Sequence, residues 1–136
     1  MKKFVAVVVG IAVAFLLVAT SDWIGSWLFP IDNVNSADPG MLADYIAGMP
    51  IAAKMIIAGG WLIAPLAGAW LALRIADWRP GGWIVATVFL AAGLMNQFVL
   101  PHPLSMQIGA VVLPLIGGWL AQRLHRKPYP GEPLLG

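Results

Sequence analysis

The sequence predicts an all-α membrane protein: a four-transmembrane-helix bundle of two parallel hairpin repeats, with a short amphipathic helix in the outer loop. Three observations carry this prediction. Of the 136 residues, 60% are hydrophobic and only 10% are charged, whereas soluble domains carry about 25% charged residues. Four apolar stretches are long enough to cross a bilayer as helices, which takes roughly 20 residues each. These stretches also lack the alternation of apolar and polar side chains that marks the strands of a membrane barrel.

The four spans are placed at residues 4–24, 51–75, 83–100 and 104–124. Together they use nearly the whole chain, so residues 1–126 are expected to form one transmembrane domain. The last ten residues, KPYPGEPLLG, contain too many prolines and glycines to extend the fourth helix, and residues 127–136 are therefore predicted to be a flexible cytoplasmic tail.

The loop at residues 30–50 separates the first two spans and has its own helix signals. Ser36 or Asp38 can cap a helix, Pro39 suits its first turn, and Gly48 with Pro50 can end it. The apolar side chains between these signals share one face, which collects Met41, Leu42, Tyr45, Ile46 and Met49. We expect a helix resting on the outer membrane surface, and the alternative is a lid over a cavity that opens to that side.

Basic residues predict the orientation of the chain. Seven of the eight lie at the same ends of the spans: Lys2, Lys3, Arg74, Arg79, Arg123, Arg126 and Lys127. Because lysine and arginine concentrate in cytoplasmic loops, both termini are predicted to be cytoplasmic, in the inner membrane of a bacterium. His125 is assigned to the same basic flank, while the acidic residues Asp22, Asp32, Asp38 and Asp44 belong to the opposite side.

A ten-residue segment occurs twice with small changes, as PLAGAWLALR at residues 65–74 and PLIGGWLAQR at residues 114–123. Seven positions are identical, and they include Pro, Trp and Arg at fixed spacing. Both copies lie at the ends of spans that run from outside to inside. We interpret them as a duplicated two-helix hairpin, with the copies related by an axis along the membrane normal.

Helical spacing divides the repeated residues into three groups. The first comprises small side chains expected to let helices pack closely: Gly60, Ala64, Gly68, Ala72, Gly117 and Ala121. The second comprises anchors at the inner membrane surface: Trp70, Arg74, Trp119 and Arg123. The third is the pair Pro65 and Pro114, each predicted to kink its helix by freeing the carbonyl four residues earlier. Such paired interruptions occur at transporter binding sites, and prolines are also tolerated in membrane helices without any function.

Polar side chains gather at the predicted outer ends of the helices. The candidate outer pocket consists of Asp22, Lys54, Asn96, Gln97, His102 and Gln107. An Asp22–Lys54 ion pair is its most specific expected feature. The alternative is that all six side chains lie at headgroup depth, where polar groups cost little.

Catalytic and cofactor chemistry finds little support in the sequence. There is no cysteine, which excludes disulfide exchange and thiolate catalysis. His102 and His125 are predicted on opposite sides of the membrane, so no metal or haem site is expected. His102 with Ser105 gives only a weak hydrolase signal, and no catalytic residue is assigned. No cofactor and no nucleic-acid partner is predicted; the net charge of +2 is read as a topology signal.

The stretches DYIAGMP, GAWLALRIA and NQFVLPHPL, together with a Gly-Gly-Trp, give the chain a family likeness. It resembles small four-helix inner-membrane proteins of bacteria to which no activity is assigned. The resemblance implies a bacterial membrane location and no mechanism. The first functional expectation is a non-enzymatic membrane protein that associates with itself or joins a larger membrane complex, with membrane lipid as its other partner. The alternatives are a small transporter or lipid- or quinone-binding protein using the outer pocket, and then an outward-facing membrane enzyme.

Overall fold

A computed structural model describes residues 1–30, 37–100, 102–125, 127 and 133. These residues form five α-helices: α1 (Lys2–Leu28), α2 (Pro39–Gly48), α3 (Ile51–Ala76), α4 (Arg79–Val99) and α5 (Leu104–Leu124). All except α2 are long and apolar enough to cross a membrane. The all-helical class and the four predicted spans are therefore confirmed, and they are the features of a multi-pass membrane protein.

The helix boundaries differ from the predicted ones mainly where polar residues extend a helix beyond its apolar part. Helix α1 continues to Leu28, and α4 begins at Arg79 rather than at residue 83. Pro80 occupies the first turn of α4, where a helix has no use for the missing N–H. At the end of α3, Asp77 turns the chain with a left-handed backbone (φ 43°). Hydropathy alone places an end where the apolar run stops and misses such polar turns.

Helix α2 lies in the long loop between α1 and α3, and its first turn is capped by a side chain. The Asp38 carboxylate accepts hydrogen bonds from the backbone N–H groups of Gly40 and Met41, at 2.8 and 3.3 Å. These bonds satisfy donors that have no partner inside the helix. Ser36, the other candidate cap, lies outside the described residues, as do Asp32, Arg126 and all of the predicted tail except Lys127 and Pro133.

The long helices pack with α3 and α4 at the centre. Helices α3 and α4 contact each other, and each also contacts both α1 and α5. Within the described residues α1 and α5 do not contact one another, so they lie on opposite sides of the α3–α4 pair. Successive spans are antiparallel. The turn between α1 and α3, with α2, is therefore at the same end as the α4–α5 turn, and we call this the α2 end.

Glycines set the closest helix contacts. A Cβ atom on Gly10 of α1 would lie 2.6 Å from the Gly68 carbonyl oxygen, and one on Gly68 would overlap the Gly10 carbonyl oxygen. At the contact of α5 with α3, a Cβ on Gly117 would lie 2.7 Å from the Leu62 carbonyl oxygen. Backbones can approach this closely only where the side chains are hydrogen atoms. The packing face is therefore used within the chain.

The two copies of the repeated segment place equivalent residues alike. The proline pair and most of the small residues are buried: Ala64, Pro65, Gly68, Ala72, Pro114, Gly117 and Ala121. Gly60 is half-buried, against the Ser21 side chain. The tryptophans point outward, with Trp70 39% and Trp119 47% exposed. The Arg123 guanidinium lies 5.1 Å from the centre of the Trp119 ring, and Arg74 lies in the last turn of α3.

His125 contacts a carboxylate, which its assignment to the basic flank did not predict. Its Nε2 lies 2.7 Å from Oδ1 of Asp77, the residue that ends α3. Nearby, Gln122 Nε2 donates to the Arg79 carbonyl oxygen at 2.9 Å. These two bonds fasten the end of α5 to the α3–α4 turn.

Candidate functional site

A cavity of about 300 Å³ lies at the α2 end of the bundle. Its wall is mostly apolar and includes Leu42, Tyr45 and Ile46 on one face of α2, together with Met49 just after that helix. Tyr45 donates a long hydrogen bond of 3.5 Å to the Phe29 carbonyl oxygen just beyond α1. Side chains of α2 thus form part of the cavity wall. We call this space the α2 cavity.

A second cavity of about 250 Å³, the deep cavity, continues into the bundle. It is lined by residues of all four long helices, among them Phe15, Phe89 and Pro114, which are the central residues of α1, α4 and α5. Phe15 and Phe89 contact each other, with ring centres 5.7 Å apart. The deep cavity therefore extends to the middle of the spans.

Three residues line both cavities: Asp22, Trp61 and Asn96. We call this shared boundary the passage. Asp22 lies seven residues from the centre of α1, a rise of about 10 Å along the helix. Asp22 and Asn96 are both exposed, so the space beside them is open. A carboxylate within a membrane span is costly unless it has a partner. Among the described residues, Asp22 has no hydrogen bond and no ion pair.

His102 lines the α2 cavity and is held in one orientation. Its Nδ1 lies 2.9 Å from the Leu100 carbonyl oxygen. Because a carbonyl oxygen only accepts hydrogen bonds, Nδ1 must carry a proton, and Nε2 is then the acceptor of the neutral ring. The ring meets Trp61 edge-on, with centres 5.9 Å apart. Ser105, the suggested hydrolase partner, is exposed and does not line either cavity.

The expected ion pair between Asp22 and Lys54 is not formed. Lys54 Nζ instead donates to the Ala47 carbonyl oxygen at 2.8 Å. The last turn of α2 leaves carbonyl groups without helical partners, and Lys54, in the first turn of α3, is close enough to satisfy one. Among the described residues the only contact between an acidic and a basic side chain joins Asp77 to His125.

We therefore expect Asp22→Asn and Lys54→Met to change the free energy of unfolding additively, because the two side chains share no bond. The double-mutant cycle can be measured by detergent-induced unfolding of the purified protein. A coupling above about 0.5 kcal/mol would contradict the separate roles seen here.

The two glutamines of the predicted pocket lie apart from the cavities. Gln107 Nε2 donates to the His102 carbonyl oxygen at 2.7 Å and so fastens the start of α5. Gln97 has both polar side-chain atoms buried and without a partner among the described residues. Of the six residues predicted for the pocket, the structure brings together Asp22, Asn96 and His102.

Sequence reasoning missed the aromatic and glycine residues of the site. Trp61 lines both cavities, and Gly25, Phe29 and Tyr45 line the α2 cavity. The sequence did contain a signal for Trp61. This large side chain lies on a helix face made otherwise of small residues, and the equivalent residue of the second repeat is Ala110. A large residue on one side of a close helix contact holds the neighbouring backbones apart, which favours a void beside it.

The fold and the cavities define a class: a helical multi-pass membrane protein with mainly apolar cavities between its helices. No known protein family, curated protein or solved structure matches this chain.

Proposed function

We propose that this protein binds a small, largely apolar molecule inside the membrane, within the α2 and deep cavities. The observation that carries the proposal is the α2 cavity itself. Its volume of about 300 Å³ falls in the range of small-molecule sites, which are typically apolar with a few fixed polar groups. The polar side chains Asp22, Asn96 and His102 meet that description.

Packing within the chain favours binding over the other expected role, self-association. That expectation rested on the small-residue faces, and Gly68 and Gly117 use them for contacts with α1 and α3 of the same chain. Membership of a larger complex stays a prediction.

The basic residues support a placement in the bacterial inner membrane with both termini cytoplasmic. In that orientation α2 covers the cavity from the outer side, and the cavities are reached from there. The matching burial of Pro65 with Pro114 and of Gly68 with Gly117 supports the proposal that the two hairpins arose by duplication.

A cavity-filling substitution provides the test. Gly25 lines the α2 cavity, and a Cβ atom there would meet only Ile56, at 3.9 Å. We expect wild-type protein purified in mild detergent to retain a small molecule, detected by native mass spectrometry, or to take up added 4-phenylbutanol. Gly25→Leu should lower the occupancy at least about fivefold, because the leucine side chain takes the ligand's space.

The matched control is Gly59→Leu, since a Cβ on Gly59 has no neighbour within 4 Å among the described residues and Gly59 lines neither cavity. Its occupancy should equal that of the wild type. Equal occupancy in Gly25→Leu, or a wild type that neither retains a molecule nor takes up the alcohol, would refute the proposal.

A further inference from the structure

We infer that the bound molecule is an organic cation, an ammonium group carried on an apolar body, with the ammonium at the passage between the two cavities. The inference rests on the proposed binding function and adds the charge of the ligand. It follows from the carboxylate at the passage, from the hydrogen-bonding character of the surrounding polar atoms, and from the aromatic wall.

Asp22 supplies the first argument. Its carboxylate lines both cavities, and it has no bond to a cation or a donor among the described residues. Lys54, in the first turn of α3, donates its hydrogen bond to the Ala47 carbonyl oxygen instead. Since an intramembrane carboxylate is stabilised by a positive partner, a ligand that brings an ammonium group supplies what the protein leaves out.

A backbone carbonyl beside the deep cavity adds a second acceptor. Pro114 has no N–H, so the carbonyl oxygen of Ala110 loses its helical partner. That oxygen lies 3.6 Å from the position of a Cβ on Gly93, and both residues line the deep cavity. Freed carbonyls of interrupted helices bind cations in membrane transporters. The proline of the second repeat thereby gains a role at the site.

His102 and Trp61 also favour a positively charged ligand. His102 Nδ1 contacts the Leu100 carbonyl oxygen, so in the tautomer with its proton on Nδ1 the other ring nitrogen, Nε2, accepts hydrogen bonds. Trp61 lines both cavities, and the face of an indole attracts ammonium groups. Asn96 can either donate or accept. The passage therefore offers mainly acceptors and an electron-rich ring, which suits a donor with positive charge.

A bare metal ion fits this site less well than an ammonium group. Calcium takes six to eight oxygen ligands and magnesium six in a regular octahedron. No cluster of three or more His, Cys, Asp or Glu side chains occurs in the described part of the chain. The walls beyond the passage are apolar, and they match the hydrocarbon part of an organic cation.

The test compares three probes of equal length and different charge: 4-phenylbutylamine, 4-phenylbutanol and 4-phenylbutyrate. Binding to the full-length protein in phosphatidylcholine nanodiscs is measured at neutral pH, with empty nanodiscs subtracted. We expect the protonated amine to bind about tenfold more tightly than the alcohol. This ratio corresponds to the free energy that one hydrogen bond to a charged group contributes. The carboxylate probe should bind most weakly.

Asp22→Asn should abolish the preference for the amine over the alcohol, because it removes the negative charge that the ammonium group binds. Asp44→Asn is the matched control, since Asp44 is exposed on α2 and lines neither cavity. Gly93→Leu should weaken both the amine and the alcohol, because the leucine side chain fills the deep cavity. An amine preference that survives in Asp22→Asn would overturn the inference.

The remaining outcomes separate the inference from the function on which it rests. If the alcohol or the carboxylate binds the wild type at least as tightly as the amine, and Gly25→Leu blocks it, the cavity function stands and the inferred charge is wrong. If none of the three probes binds the wild type, the inference fails, and the proposed function fails with it unless the purified protein retains a small molecule.

Discussion

Gly68→Ala is expected to destabilise the bundle by about 2 to 3 kcal/mol, although alanine is the better helix former by about 1 kcal/mol. The added Cβ would overlap the Gly10 carbonyl oxygen and lie 2.9 Å from the Ala14 Cβ. Backbone atoms cannot rotate away as a side chain can, so α1 and α3 must separate. The free energy of unfolding, measured by titrating the purified protein with denaturing detergent, reports this cost.

Gly59→Ala is the matched control in the same helix. A Cβ there has no neighbour within 4 Å among the described residues, so this variant should be as stable as the wild type or more stable by up to about 1 kcal/mol. Gly10→Ala should cost about as much as Gly68→Ala, and the double variant less than the sum, because one separation of the helices relieves both clashes. Equal effects of the two α3 substitutions would contradict the packing of α1 on α3.

Leu73→Ala is the second large effect, expected to cost about 2 to 5 kcal/mol. Leu73 is fully buried and packs over Gly82, whose Cβ position lies 3.1 Å from Leu73 Cδ1 and Cγ. Removing the isobutyl group leaves a void between α3 and α4, the central pair of the bundle, and neither helix can move in without disturbing its other neighbours. The same detergent titration measures the loss.

Two further variants identify the cause of that loss. Leu94→Ala makes the same chemical change at a residue that is 42% exposed, where lipid can replace the lost contacts, so its cost should stay below about 1 kcal/mol. Leu73→Met keeps the volume and should cost less than about 1.5 kcal/mol. If Leu94→Ala were as damaging as Leu73→Ala, burial between α3 and α4 would not be the reason.

The helices were the most predictable part of the molecule. In lipid a backbone must satisfy its own hydrogen bonds, so a long apolar run has essentially one local solution, and that solution does not depend on its neighbours. Pro39 and Gly48 likewise marked α2 within the chain itself. Local signals were sufficient because the bonds that form these helices are local.

The site was only partly predictable. Asp22, Asn96 and His102 were expected to meet and do line one cavity. The pairing of Asp22 with Lys54 was wrong, because opposite charge does not say which of several nearby acceptors a flexible lysine reaches, and the Ala47 carbonyl oxygen is the one it contacts. His125 was assigned to a basic flank by its neighbours in sequence, while its partner Asp77 lies 48 residues away.

By itself, then, the sequence determined a membrane protein with four spanning helices, a capped helix in the long loop, and glycine and alanine faces suited to close packing. Only the tertiary structure decided that α3 and α4 form the centre, that α2 lines one cavity, and that a second cavity reaches Pro114. The physical reason is that these helices are apolar on every side, so hydrophobic periodicity does not show which face meets a neighbour. A cavity, moreover, is a property of the gap between five segments, and no single segment encodes it.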